Sequence, residues 1–184
     1  MKSLLAILAL LLTAGINASA QFYDKPSHVS LEVQGVMPMG GYFAQSQKTG
    51  GGAAAKLIMP LSESADLVVS GGLFIFPGKM VPRGKTMINA GYLKPISLLA
   101  GFRYSFTPTD VLYDDEAMNT FYIEPRLGFS VIRSKSWVPT YAPTIGYLIR
   151  DKVDISFRYQ ATSSSNKYNQ EAMLVFGVAY GLDF

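Results

Sequence analysis

The chain has 184 residues, no cysteine, and 16 basic against 13 acidic side chains. Disulfides, Cys-ligated zinc, Fe–S clusters, c-type haem, a thiol nucleophile and a lipid anchor on cysteine are therefore excluded. The small charge excess comes without any Lys/Arg-rich run, so nothing supports a nucleic-acid partner.

Residues 1–20 predict a cleaved secretory leader: Lys2 supplies the positive start, Leu4 to Leu12 the apolar stretch, and Ala18-Ser19-Ala20 the small-residue cleavage site. Residues 21–184 then form one domain by size. No apolar run beyond Ala20 approaches the roughly 20 residues that a spanning helix needs.

Beyond the leader the chain is a succession of segments with a period of two. Gln21 to Ser27 is a lead-in, and a first strand opens at His28, with Val29, Leu31, Val33, Gly35 and Met37 on one face and Ser30, Glu32, Gln34 and Val36 on the other. Met39 to Gly52 reads as a loop, with Gly50-Gly51-Gly52 its flexible part. A second, less regular strand covers Ala53 to Leu61, with Pro60 weakening its end. After a tight turn at Ser62-Glu63-Ser64, a third strand runs from Ala65 to about Phe76, with Leu67, Val69, Gly71, Leu73 and Ile75 opposite Asp66, Ser70 and Gly72. Pro77 to Lys94 reads as a long loop with a short ordered piece around Thr86 to Tyr92.

A fourth strand, Ile96 to Phe106, groups Leu98, Ala100, Phe102, Tyr104 and Phe106 against Gly101, Arg103 and Ser105. Thr107 to Met118 is a polar connection. A fifth strand, Thr120 to Val131, sets Phe121, Ile123, Leu127 and Phe129 against Tyr122, Glu124, Arg126, Gly128 and Ser130. Arg133 to Ser136 turns the chain into a sixth strand, Trp137 to Ile149, and Arg150-Asp151-Lys152 turns it again. The seventh strand shows the cleanest alternation: Val153, Ile155, Phe157 and Tyr159 against Asp154, Ser156, Arg158 and Gln160. Thr162 to Asn169 is a polar loop, and an eighth strand, Glu171 to Phe184, ends the sequence with Leu174, Phe176, Val178, Tyr180 and Leu182 on one face.

Eight alternating strands without a spanning helix predict an all-β fold, an eight-stranded antiparallel up-and-down transmembrane β-barrel. The polar faces carry Glu32, Asp66, Glu124, Asp154 and Glu171 together with Lys56, Arg103, Arg126 and Arg158, balanced enough to pair inside a barrel too narrow to stay open. Periodicity alone does not separate inside from outside, so two other readings stay open. One is a narrow pore for small solutes lined by Arg103, Arg126 and Arg158. The other is a soluble, lipocalin-like barrel with Phe102, Phe129, Phe157 and Phe176 turned inward around an apolar ligand. An exported chain, a strand ending at Phe184, and ring-bearing residues able to lie at two bilayer interfaces favour the outer membrane of a cell envelope.

The leader before Gln21, the segment Leu98-Leu99-Ala100-Gly101-Phe102-Arg103-Tyr104-Ser105-Phe106, the segment Tyr122 to Ser130 and the terminal Val178 to Phe184 together resemble the small outer-membrane β-barrel proteins of Bacteroidota. These are akin to outer-membrane protein X and OmpA-like barrels and are described as porin-like. The resemblance implies a fold and an address, with varied functions. It also implies that Phe176, Val178, Tyr180, Leu182 and Phe184 form the signal read by the barrel assembly machinery.

Other candidate sites are few. His28 is the sole histidine and stands beside no Ser or acid constellation, so it reads as an interface residue and the chain as a non-enzyme. Asp114-Asp115-Glu116 lacks calcium-loop spacing and reads as a solvated acidic turn; no cofactor or metal is expected. Lys79, Arg83 and Lys85 in the second external loop are candidates for contact with anionic lipopolysaccharide at the outer leaflet. The strongest polar pairs are Glu124 with Arg126 and Asp154 with Arg158, expected as an ionic plug in a monomeric barrel.

Overall fold

A computed structural model describes residues 27–62, 64–84, 86–106, 119–132, 137–150, 152–163 and 171–182. The leader, the connections at 107–118 and 133–136, most of the last loop, Lys85 and Phe184 lie outside the described residues. The described residues form ten strands and one short helix: β1 His28–Met39, α1 Gly41–Ser46, β2 Gly50–Pro60, β3 Ala65–Ile75, β4 Met80–Arg83, β5 Thr86–Asn89, β6 Ile96–Phe106, β7 Thr120–Val131, β8 Trp137–Ile149, β9 Val153–Thr162 and β10 Ala172–Leu182. Strands β4 and β5 make a separate hairpin, and the other eight close into an antiparallel barrel in which each strand pairs with its sequence neighbours and β10 pairs back onto β1. Closure leaves no sheet edge.

The stagger of the barrel is set by its register. Passing from Met39 through Ala172, Ala161, Tyr141, Leu127, Ala100, Val69 and Leu57, each paired with the next, leads back to β1 at Val29, ten residues from the start. A stagger of this size tilts the strands by roughly 35–45° and leaves an interior that side chains can fill. Inward positions alternate with outward ones along every strand, so the period of two seen in the sequence becomes two faces in space.

The faces are the reverse of a water-soluble protein. Phe102, Leu127, Phe129, Ile145, Phe157 and Phe176 are all exposed, whereas Glu32, Lys56, Arg103, Glu124, Arg126, Asp154 and Arg158 are all buried. This overturns the soluble arrangement with an aromatic core.

Four boundaries differ from the sequence reading. Gly50–Gly52 belong to β2, where side-chain-free residues let the ladder approach closely: a Cβ on Gly52 would lie 2.7 Å from the Leu73 carbonyl oxygen and from the Phe74 ring. Within the stretch read as a plain loop stands α1, and 77–94 contains the hairpin rather than one short ordered piece. β9 extends to Thr162, whose amide donates to the Glu171 carbonyl at 2.9 Å, so Glu171 precedes the last strand instead of opening it.

One end of the barrel is closed by apolar packing. Val36, Phe43, Phe74, Phe76, Leu93, Ile132, Met173 and Val175 form a single buried cluster where β1 leads into α1 and β3 leads toward the hairpin. Phe43 and Phe76 meet edge to face with centroids 5.0 Å apart. The helix is strapped over this cluster: the Lys48 amide donates to the Pro77 carbonyl and the Lys79 amide to the Ser46 carbonyl, each at 2.8 Å. The Lys79 ammonium donates to the Ala44 carbonyl at 2.7 Å.

Candidate functional site

The polar content of the barrel is concentrated in one layer beneath the apolar cap, built from inward positions of β1, β2, β6, β7 and β9. Its centre is Asp154. One carboxylate oxygen accepts from Lys56 Nζ at 3.2 Å and Arg103 Nη2 at 3.0 Å, and the other accepts from the Tyr122 hydroxyl at 2.6 Å. Arg103 also donates through Nε to Glu124 Oε2 at 2.8 Å, and Arg126 Nε forms an ion pair with Glu124 Oε1. Lys56 reaches Glu32 at 3.3 Å, while the Ser156 hydroxyl donates to the other Glu32 oxygen at 3.0 Å. The result is a chain of alternating charge, Glu32–Lys56–Asp154–Arg103–Glu124–Arg126, that ties five strands together across the lumen.

Two additions stiffen this layer. The Arg103 guanidinium lies 3.9 Å from the Tyr122 ring centroid, a cation–π contact on top of its two carboxylate partners. Arg126 Nη1 donates to Ser70 Oγ at 3.2 Å, which adds β3 to the strands held by the network. Buried pairs of this kind contribute little net stability over an apolar core, since desolvation offsets their attraction. Their effect is to make one register far better than its neighbours, because a slip by one residue would turn every charge to the apolar outside.

Small residues make room for the layer. A Cβ on Gly177 would collide with the Glu32 carboxylate and come within 2.8 Å of Ser156 Oγ. Gly177→Ala is therefore expected to lower stability by about 1–3 kcal/mol, the range for overpacking a filled core. Urea-induced loss of the folded, fast-migrating gel band measures it; an unchanged midpoint would contradict this packing.

Of the predicted interior residues, Glu32, Lys56, Arg103, Glu124, Arg126 and Asp154 come together in one network of ion pairs. The predicted pair Glu124–Arg126 forms, but Asp154 does not pair with Arg158. Residues four apart on a strand are separated by about 13 Å at ~3.3 Å per residue, so partners come from across the lumen instead. Asp66 faces inward near the turn into β3, half-buried and in register with Arg103. Glu171 is buried near the opposite end, its amide donating to Thr162 Oγ1 at 2.9 Å.

The remaining candidates separate similarly. Phe176, Val178 and Tyr180 form an exposed row on β10, with Leu182 half-exposed at its end. Lys79 belongs to the strap over the cap, while Arg83 ends β4 at the hairpin tip. His28 opens β1 opposite Ile58, at the end away from the cap. Among the described residues no group of three or more His, Asp or Glu side chains is placed to hold a metal ion.

Sequence reasoning missed the cap and the part played by Tyr122. The signal was present: Phe74 and Phe76 share the parity of Asp66 and Ser70, and Tyr122 that of Glu124 and Arg126, so parity alone places all three rings inside. Phe43 carried no such signal, since it sits on a six-residue helix between strands.

No protein-family model and no curated protein matches the sequence. Solved structures do match. The Yersinia pestis outer membrane protein Ail is 12% identical with a TM-score of 0.53, covering 85% of this chain and 100% of that one. The fold is that of the small outer-membrane β-barrels. Neisserial surface protein A is 11% identical with a TM-score of 0.52, over 86% of this chain and 97% of that one. The outer membrane enzyme PagL is 14% identical with a TM-score of 0.50, over 85% of this chain and 99% of its own. At such identities the likeness concerns the fold alone.

Proposed function

We propose that this chain is an integral outer-membrane barrel with a non-catalytic role, in which a sealed, ion-paired interior is the scaffold and the loop end is the interacting surface. The observation that carries this reading is the inversion of its faces, since a continuous band of exposed Leu, Ile, Val and Phe around a buried charged layer is stable only with hydrocarbon outside. Rings lie toward both ends of that band, Tyr104 against Phe106 and Phe121 against Tyr147 at one, Tyr141 near Tyr159 at the other, as interfacial girdles require. Residues 1–20 act as the leader in this reading, which groups the chain with the small outer-membrane barrels of Bacteroidota.

The loop end supports a surface role. The β4–β5 hairpin exposes Met80, Met87 and Ile88, with Tyr92 beyond it. Arg83, which ends β4, and Lys85 stand beside these apolar residues in sequence, a combination suited to anionic lipopolysaccharide; Lys79 has its ammonium committed to Ala44. The pore reading is disfavoured: Arg103 and Arg126 pair with carboxylates, and Phe43, Phe74 and Phe76 close one end of the lumen.

The test is the behaviour of the urea-washed membrane fraction on gels. The intact chain is expected to stay with membranes and to shift mobility on boiling. Deleting Phe184 is expected to abolish the folded band in cells while leaving refolding into detergent intact, as befits a signal read by assembly machinery alongside Phe176, Val178, Tyr180 and Leu182. An intact chain that washes off as a soluble species would overturn the membrane reading.

A further inference from the structure

Four basic side chains are buried in the middle of the barrel and only three take part in its charge chain. Lys56, Arg103 and Arg126 alternate with Glu32, Asp154 and Glu124. Arg158 is the fourth. It is 3% exposed, and among the described residues its side chain makes no ion pair and its Nε has no hydrogen-bond acceptor. Of the other inward acids, Asp66 lies in register with Arg103 on β6, and Glu171 precedes β10 at the capped end. A guanidinium keeps its charge at neutral pH, and an uncompensated buried charge is among the costliest features a core can hold.

Other buried N–H donors stand beside Arg158. Two residues along β9, Gln160 is fully buried with both amide atoms unpartnered among the described residues. Arg126 lies on β7 opposite Ala142 of β8, with β9 the next strand round, and its Nη2 is likewise buried without an acceptor. Ala142 carries only a methyl group and is itself fully buried, which leaves the space between these longer side chains to them. The charges acting on Arg158 include Arg126, a like charge, beside Glu32 and Glu124, whose carboxylates are already engaged.

We propose that the barrel interior binds one small monovalent anion of halide type, held by N–H donors of Arg158, Arg126 and Gln160 between the charge chain and the apolar cap. The anion gives Arg158 a counter-charge at contact distance. The donors are all N–H groups on fixed strands, and guanidinium hydrogen bonds to an anion are the strong kind. The cap of Phe74, Phe76 and Met173 keeps larger or tailed anions out and makes exchange with solvent slow. The ion is thus a structural part of the plug, not a species in transit, and the inference concerns the lumen whatever surrounds the barrel.

The experiment is thermal unfolding of the refolded full chain in detergent, in sodium chloride against sodium gluconate at equal ionic strength. A saturable rise of the unfolding midpoint with chloride, absent with gluconate, is expected. Arg158→Met removes the charge at similar length, and its half-saturating chloride concentration is expected to rise at least about tenfold, as loss of a charge-assisted donor implies. Gln160→Met keeps all charges and should shift half-saturation in the same direction by a smaller factor, so the case survives if Arg158→Met fails to fold. Bromide in place of chloride should give one anomalous peak inside the barrel. Coincident chloride and gluconate curves in the unsubstituted chain, or a chloride response unchanged in both variants, would overturn the proposal.

Discussion

Asp154→Ala is expected to destabilise the barrel by about 3–5 kcal/mol, the largest effect of any single truncation in the lumen. Asp154 is the acceptor for Lys56, Arg103 and the Tyr122 hydroxyl at once, so its removal leaves the buried Lys56 ammonium with Glu32 alone, and part of a guanidinium and a phenol without their acceptor. The side chains cannot turn to water, because Lys56 is 0% exposed and Arg103 only 2% exposed. The measurement is the urea midpoint of the chain refolded into lipid vesicles, followed by the mobility of the folded band. Lys56→Met with Asp154→Leu should recover only the share of the loss that belongs to the Lys56–Asp154 pair, since Arg103, Tyr122 and Glu32 each still lose a partner. A double variant as unstable as the sum of its parts would mean that the pair is not coupled as the geometry has it.

Leu127→Arg is the second large effect, and it reports the solvent on the outer face. Leu127 is 69% exposed in the middle of β7. On a water-facing surface such a change alters stability by no more than about 0.5 kcal/mol. At the midplane of a bilayer it is expected to cost about 2–4 kcal/mol. Unfolding in vesicles against the unsubstituted chain separates these outcomes, and an indifferent Leu127→Arg would remove the basis for a hydrocarbon surround. A lumen change such as Asp154→Ala should destabilise the chain in detergent and in vesicles alike, whereas the effect at Leu127 should vary with the thickness of the apolar shell.

The sequence by itself determined the number of barrel strands, nearly all of their boundaries and the two faces of each. β6, β7 and β8 were legible to the residue because alternation is local: successive side chains point to opposite sides, so a run such as Phe121, Ile123, Leu127 and Phe129 declares its face without reference to any other strand. The same property placed Glu32, Lys56, Arg103, Glu124, Arg126, Asp154 and Arg158 on one side together. Where a segment lacks alternation, as in Gly50–Gly52 or around Phe43, the local signal disappears and only the paired neighbour reveals the element.

Only the tertiary structure decided which of these charges meet. Lys56 and Asp154 are 98 residues apart, and their contact depends on closure with a ten-residue stagger, a property of the whole sheet that no single strand carries. That stagger brings Asp154 to Lys56 and Arg103, while Arg158, four residues along the same strand, is left among the described residues as the base without an ion-paired carboxylate. It also gathers Phe74, Phe76, Met173 and Val175 at one level, where Phe43 can close the lumen over them. Faces are set by the pleat of one strand; partners are set by the ring.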